Sequence, residues 1–319
     1  MLVAQNEQGQ SVCLVENQAV VGQKFFCPGC GSPVRLRKGQ VIRSHFAHVS
    51  LKNCQYFSEN ESAQHLQLKT GLYQWALKHS EAELEKRLPE IEQIADILIG
   101  KKLALEVQCS SLAMERLQER TRSYQQAGYQ VLWLLGEDLW LKTRLTNLQK
   151  QFLYFSKYVG FFLWELDARS QKLRLRYLIH EDLHGRVQCL SKAFPLGVGN
   201  LLALLRFPYR RQRELVFKGK HDTRLQDYIA RKLRYQSPKW MAVQAQLYQE
   251  GRNLLTQSLD DFYPQIRPPQ SRAGFVQVQQ DVTDYYANFQ TYYQQLARKD
   301  EQYLYPPIFY QTILKKNLI

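Results

Sequence analysis

The chain is poor in cysteine: six residues in 319, scattered along its length. A disulfide scaffold is therefore excluded, and thiols that do lie close together read first as metal ligands. Long apolar runs are missing too. The richest stretch, Tyr158 to Leu166, is short and carries Glu165, whereas a bilayer span needs roughly 18 apolar residues. The opening, MLVAQNEQGQSV, has neither the basic flank nor the apolar core of a secretory leader. A reducing cytoplasm is the expected location. No internal repeat stands out, and with 45% apolar residues the chain has enough material for packed cores.

Acidic residues are the minority charge. Lys and Arg number 43 against 29 Asp and Glu, a formal net charge of +14 with a pI near 9.4. The excess is uneven. Residues 1–57 carry 6 basic and 2 acidic side chains, residues 58–150 carry 12 and 13, and residues 151–319 carry 25 and 14. Basic flanks around a nearly neutral middle suit a polyanion held on both sides of a site, and binding by such flanks weakens with salt. The length also suits two or three domains.

What is present divides the same way. Residues 1–57 form a small β module, opening with a hairpin of Leu2–Gln5 and Val12–Glu16. Cys27-x2-Cys30 follows, and after fourteen intervening residues His45-x2-His48. Two thiols and two imidazoles form a ligand set for a closed structural zinc site, with Cys54 an alternative to one His. So small a module buries little core, and a metal would supply the missing folding energy.

Residues 58–150 read as helix, strand, hairpin, helix and strand: a mixed sheet with helices packed on it, of α/β (α+β) class. Ser58 is the expected cap of the first helix, with Glu61 in capping-box position. Glu61, His65 and Lys69 follow one another at i, i+4 and i+8 and line one face. Asp96 lies in an apolar strand, where a carboxylate is costly unless it is paired or binds a cation. A three-residue loop, Gly100–Lys102, sets Asp96 directly opposite Glu106, with Gln108 on the face of Glu106. Carboxylates held face to face call for a cation, and hard oxygen donors suit Mg²⁺ or Mn²⁺. The next helix is expected to start on Ser caps and to stop at Gly128.

Residues 151–319 form a basic C-terminal domain, a β-meander followed by mostly helix. Arg210, Arg211 and Arg213 stand beside aromatic rings, and Lys232 and Arg234 follow on an amphipathic helix. Basic side chains track phosphates and aromatic faces stack on bases, which points to single-stranded DNA as the partner.

Asp-x9-Glu-x-Gln across a hairpin, after a helix bearing Glu, resembles the PD-(D/E)XK restriction-endonuclease-like core. With CPGC, HFAH and ESAQHLQLK added, the chain resembles the competence protein CoiA family, specifically over residues 1–150 and loosely beyond. That resemblance implies a role in genetic transformation, as a metal-dependent DNA nuclease acting before or during recombination. It implies Asp96, Glu106 and Gln108 as catalytic residues, with Glu61 and His65 from the helix, Asp96 and Glu106 holding the Mg²⁺ or Mn²⁺, and Arg122 and Tyr124 as contacts to phosphate or as supports of the site's ligands. One departure stands out: the general nuclease pattern has Lys where this chain has Gln108. Glutamine orients water without supplying charge, and Lys69 is the candidate to supply it. The alternative is a non-catalytic DNA-binding adaptor that recruits recombination proteins.

Overall fold

The computed structural model describes residues 1–16, 22–38, 43–50, 54, 61–213 and 215–316, without the side chains of residues 315 and 316. The expected cap Ser58 lies outside these residues.

The N-terminal module is a five-stranded antiparallel sheet in the order β2-β1-β3-β4-β5. Its strands are β1 (Val3–Gln5), β2 (Ser11–Cys13), β3 (Phe25–Phe26), β4 (Pro33–Arg37) and β5 (His45–His48). The expected opening hairpin is there, with Val3 opposite Cys13. The module's own core is small: Ala4, Phe25, Cys27, Val34 and Phe46.

Helix α1 (Ala63–Leu77) follows, capped by the Ser62 hydroxyl, which accepts from the His65 N–H. It lies on a nine-stranded sheet whose main path is β13-β12-β11-β9-β8-β7-β6. The strands are β6 (Ala82–Leu88), β7 (Gln93–Ile99), β8 (Leu103–Gln108), β9 (Gln130–Leu135), β10 (Tyr154–Ser156), β11 (Gly160–Asp167), β12 (Lys172–Asp182) and β13 (Val187–Pro195). Helix α2 (Met114–Gln126) crosses from β8 to β9, which run parallel, as helical crossovers require. It ends where Gly128 takes a left-handed conformation, as expected. Its start differs from expectation: Ala113 is the N-cap, with no side-chain cap.

The division at residue 150 does not survive. The meander β11–β13 extends the same sheet, because β11 pairs in parallel with β9 (Glu165 beside Leu135). Helix α3 (Asn147–Gln151) is thus a connection inside one sheet. Later segments close both faces. Leu201 and Leu205 of α4 (Leu201–Leu205) join the core under α1. Tyr285, Phe289, Tyr293 and Tyr310, from α7 (Thr283–Gln294) and α8 (Pro307–Lys316), join the core under α2. Helices α5 (Leu225–Arg234) and α6 (Pro238–Gln249) hold a separate small core around Ile229 and Trp240. Three short strands, β14 (Phe217–Lys218), β15 (Ile266–Arg267) and β16 (Tyr303–Leu304), complete the chain, and β15 pairs with β12. No helix among the described residues is long and apolar enough to cross a membrane.

One irregularity positions the site. The β6–β7 ladder is in register on both sides of Glu85 and Asp96 but skips that pair. Glu85 has φ of +48°, a left-handed conformation that costs a non-glycine residue energy. The two strands change faces there. Leu84 and Ile97 belong to the core under α1, whereas Ala95 and Leu88 belong to the core under α2. Asp96 is thereby turned toward α1.

Candidate functional site

Two groups of possible metal ligands form among the described residues. The first is Cys27, Cys30, His48 and Cys54, with one ligand atom from each all within 4.8 Å of one another. The turn between β3 and β4 presents the first two. It is tightened by Cys27 N–H to Ser32 (2.9 Å) and Gly31 N–H to Cys27 (2.9 Å). Burial raises the Cys30 thiol, but hydrogen bonds with Ser32, His48 and Cys54 outweigh it and bring the group down to about 6. His45, expected in this set, is outside it, with its Nδ1 3.0 Å from the Arg43 carbonyl. The reason is local. Residues three apart on one strand leave opposite faces, so β5 can deliver only one of its two histidines. Cys54 takes the other place.

The second group is Glu61, His65 and Asp96, again within 4.8 Å. His65 and Lys69, one turn apart on α1, stand over the face-switch in the sheet; Glu61 joins them from just before the helix, ahead of the Ser62 cap rather than in the expected capping box. His65 Nε2 lies 3.1 Å from Asp96 Oδ2, and the same oxygen accepts the Val107 N–H at 2.9 Å. Lys69 is 1% exposed and sits among three carboxylates: Glu61, Glu85 (2.6 Å) and Asp96 (3.4 Å). Burial disfavours the charges of Asp96 and Glu61, but Lys69 outweighs it and holds both carboxyls well below the usual range. Lys69 and the Met1 ammonium, which pairs with Glu61, stand against three carboxylates; one negative charge is left in excess, and that excess suits a cation.

Glu85 was missed by sequence reasoning. Besides holding Lys69, it accepts the backbone N–H groups of Leu2 and Val3, each at 2.9 Å. The first strand of the N-terminal module is thus bonded directly to the carboxylate cluster. Alternating Glu in AELEKRL looks like a solvated strand face, and only the left-handed turn brings Glu85 inside.

Glu106 reaches the site from the other face. The three-residue loop is as expected, with Ile99 opposite Leu103 and Ile97 opposite Leu105. Continued one step, that register sets Asp96 against Glu106, where the ladder gives way to the Asp96 side chain. Glu106 is buried against Arg120 (3.0 Å) and the Tyr124 hydroxyl. Burial raises its carboxyl to about 7, with Arg120 opposing. Arg122 and Tyr124 were expected to touch phosphate or to support the site's ligands, and Tyr124 is bonded to Glu106. Tyr124 is fully buried and Arg122 is exposed. Residues two apart on a helix do not share a face, whereas Arg120 and Tyr124, four apart, do.

Asp96, Glu106, Gln108, His65, Arg120 and Asp138 are among the residues lining a cavity of about 100 Å³. Gln108 donates its amide to the Ser110 carbonyl (2.9 Å). Lys69 does not line this cavity; it sits behind the carboxylates, so the positive charge at the opening is Arg120. Of the expected C-terminal contacts, Arg210, Arg211, Arg213 and Arg234 are exposed. Lys232 is half-buried, 5.5 Å from the centre of the Tyr228 ring.

Comparison with known proteins gives consistent matches. A family model described as the N-terminal domain of competence protein CoiA matches residues 13–57, and one described as its nuclease-like domain matches residues 61–191. The competence protein CoiA of Bacillus subtilis (strain 168) is 34% identical over 174 residues, 51% of this chain and 46% of that protein. The chain therefore spans about half the length of this curated relative. No solved structure matches. The nuclease-like match runs from Glu61 into β13, across the expected boundary at residue 150.

Two outcomes follow for stability without added divalent metal. Lys69→Met should cost about 3 kcal/mol or more at neutral pH, since three buried or half-buried carboxylates lose their ammonium. Urea unfolding measures this, and a loss below about 1 kcal/mol would mean the cluster is solvent-screened. Glu106 has the opposite sign to Asp96. A raised carboxyl contributes stability that is complete below the unfolded value of 4.5 and is lost as pH rises to about 7. Wild type should therefore lose on the order of 2 kcal/mol relative to Glu106→Gln across that window. Parallel stability curves for the two proteins would remove the assignment.

Proposed function

We propose that this chain, which belongs to the competence protein CoiA family, is a divalent-metal-dependent deoxyribonuclease acting on DNA taken up in transformation, before or during recombination. The observation that carries this reading is the convergence of Glu61, His65 and Asp96 beside a cavity that Glu106, Gln108 and Arg120 share. The donor set fits a hard divalent cation: carboxylate oxygens in excess of the local ammonium, one imidazole, and room for water. Glu61, His65 and Asp96 would hold it; Glu106, expected as a ligand, lies outside that group and lines the cavity beside it. A Mg²⁺ or Mn²⁺ there supplies a Lewis acid for the scissile phosphate and lowers the pKa of a water.

The chain's own groups do the rest. Arg120 stands where a phosphate oxygen gains charge and takes over the cationic role that the nuclease pattern gives to lysine. Gln108 orients water through its amide. Lys69, held behind the carboxylates, fixes their positions rather than touching substrate. The cytoplasm is the compartment this reading assigns, with DNA, in single-stranded form, as the partner.

The thiol group fits zinc. Four protein donors of Cys₃His type close a tetrahedron and leave no position for substrate, so the metal is structural. The module's small core is the independent reason to expect it.

A second reading has its own support. Gln108 supplies no charge and Lys69 is turned away from the cavity, as in a degenerate nuclease fold kept as a DNA-binding adaptor for recombination proteins. Cleavage of labelled single- and double-stranded DNA with Mg²⁺ or Mn²⁺ separates the two. The nuclease reading expects cutting that falls by roughly a hundredfold or more in Asp96→Asn, with DNA affinity nearly unchanged. Intact binding with no cutting by wild type favours the adaptor. Elemental analysis of purified protein tests the thiol site. Cys54→Ala should lose its zinc and His45→Ala should keep about one ion per chain; the reverse result would restore His45 to the set.

A further inference from the structure

A second opening lies at the other end of the parallel strands. It is a groove of about 1040 Å³ at the N-terminal ends of β8 and β9, reached by the Gly100–Lys102 loop and by the segment after α4. Lys101, Lys102, Arg206 and Arg210 line it, against one acidic residue, Glu81. Tyr209 stands between the two arginines in sequence and is 55% exposed, yet its ring is held edge-on to Phe162 at 5.9 Å. Lys102 is likewise fixed, 4.9 Å from the centre of the Tyr129 ring. Gln277, also on the wall, has a buried side-chain oxygen with no hydrogen-bond partner among the described residues.

Charge and shape together select the occupant. Four cations against one anion favour phosphate over an apolar or cationic ligand. A fixed, exposed aromatic face accepts a planar base, but only one that is unstacked, as in a single strand. The carboxylate cavity is lined by Gln108 and Cys109 at the far end of β8, whereas Leu103 at the near end lines the groove. At about 3.3 Å per residue, the six-residue strand separates them by roughly 17 Å.

We propose that this groove is a second contact site for single-stranded DNA: Lys101, Lys102, Arg206 and Arg210 hold phosphates and Tyr209 stacks a base. It grips the strand at a fixed distance from the carboxylates, without any need for the divalent metal. The inference rests on the reading that DNA is the partner and is independent of whether the carboxylates cut it.

The test is fluorescence anisotropy of a labelled 20-nucleotide oligo-dT on the full chain, without added Mg²⁺ or Mn²⁺, together with the same titration of duplex. Arg206→Ala/Arg210→Ala should weaken single-strand binding roughly tenfold or more and reduce the salt slope by about 1.4, for two phosphates released. Tyr209→Ala should weaken it by roughly tenfold, while Tyr209→Phe binds as wild type. Unchanged melting temperatures exclude misfolding. Wild-type affinity in both alanine variants overturns the proposal. So does equal loss of duplex and single-strand binding in Tyr209→Ala, since stacking then plays no part, or competition by free dTMP as effective as by the oligonucleotide. The two readings fail separately: loss of binding in these variants, with no cutting by wild type, leaves the groove standing and removes the nuclease. Cutting by wild type with normal binding in the variants does the reverse.

Discussion

The site depends on one buried ammonium. Lys69 has almost no contact with water, and removing an ammonium from water is expensive. It is tolerated because Glu61, Glu85 and Asp96 converge on it from the start of α1, from β6 and from β7. The start of α1 and the β6–β7 hairpin that carries Glu85 and Asp96 meet only through the tertiary fold. The ion cluster therefore ties α1 to two strands at the point where the carboxylates must stand. Glu85 extends that tie to a third body, because its two oxygens also take the N–H groups of β1. The N-terminal sheet is thus part of the scaffold of the carboxylate site.

The left-handed turn at Glu85 is the other half of the same arrangement. A regular β6–β7 pair would place Asp96 on the face of Glu106, among the apolar side chains under α2. The change of face turns Asp96 toward His65 and Lys69 and leaves Glu106 with Arg120 and Tyr124. The two carboxylates then approach one cavity from opposite sides of the sheet. This separation explains their opposite electrostatics. Asp96 shares an ammonium and stays ionised; Glu106 is buried deeply enough that Arg120 does not fully offset the loss of water.

Local features were legible in the chain. The three-residue loop set the register of Asp96 and Glu106, the i, i+4 spacing put His65 and Lys69 on one face, and the CxxC turn marked the thiol site. What escaped was set by distant contacts or by periodicity applied too loosely. Glu85 needed a strand arriving from the N-terminus. The choice between His45 and Cys54, open in the sequence, needed β5 to be a strand, which sends His45 and His48 to opposite sides. Arg120 rather than Arg122 follows from helical spacing once Tyr124 is known to face Glu106. The boundary at residue 150 failed because the meander's apolar strands read as a new unit, although their pairing partner, β9, lay just before them.

Gln108 looks like a defect only if the cationic charge must come from its own strand. Under the proposed function it would come from α2, where Arg120 is paired with Glu106 and lines the cavity while its guanidinium lies 5.1 Å from the centre of the Trp133 ring. That origin has a physical consequence. A lysine on the strand would be flexible and could lose its proton, whereas a stacked and paired guanidinium keeps both its charge and its direction. It can therefore stabilise charge on a phosphate but is poorly suited to take a proton from water.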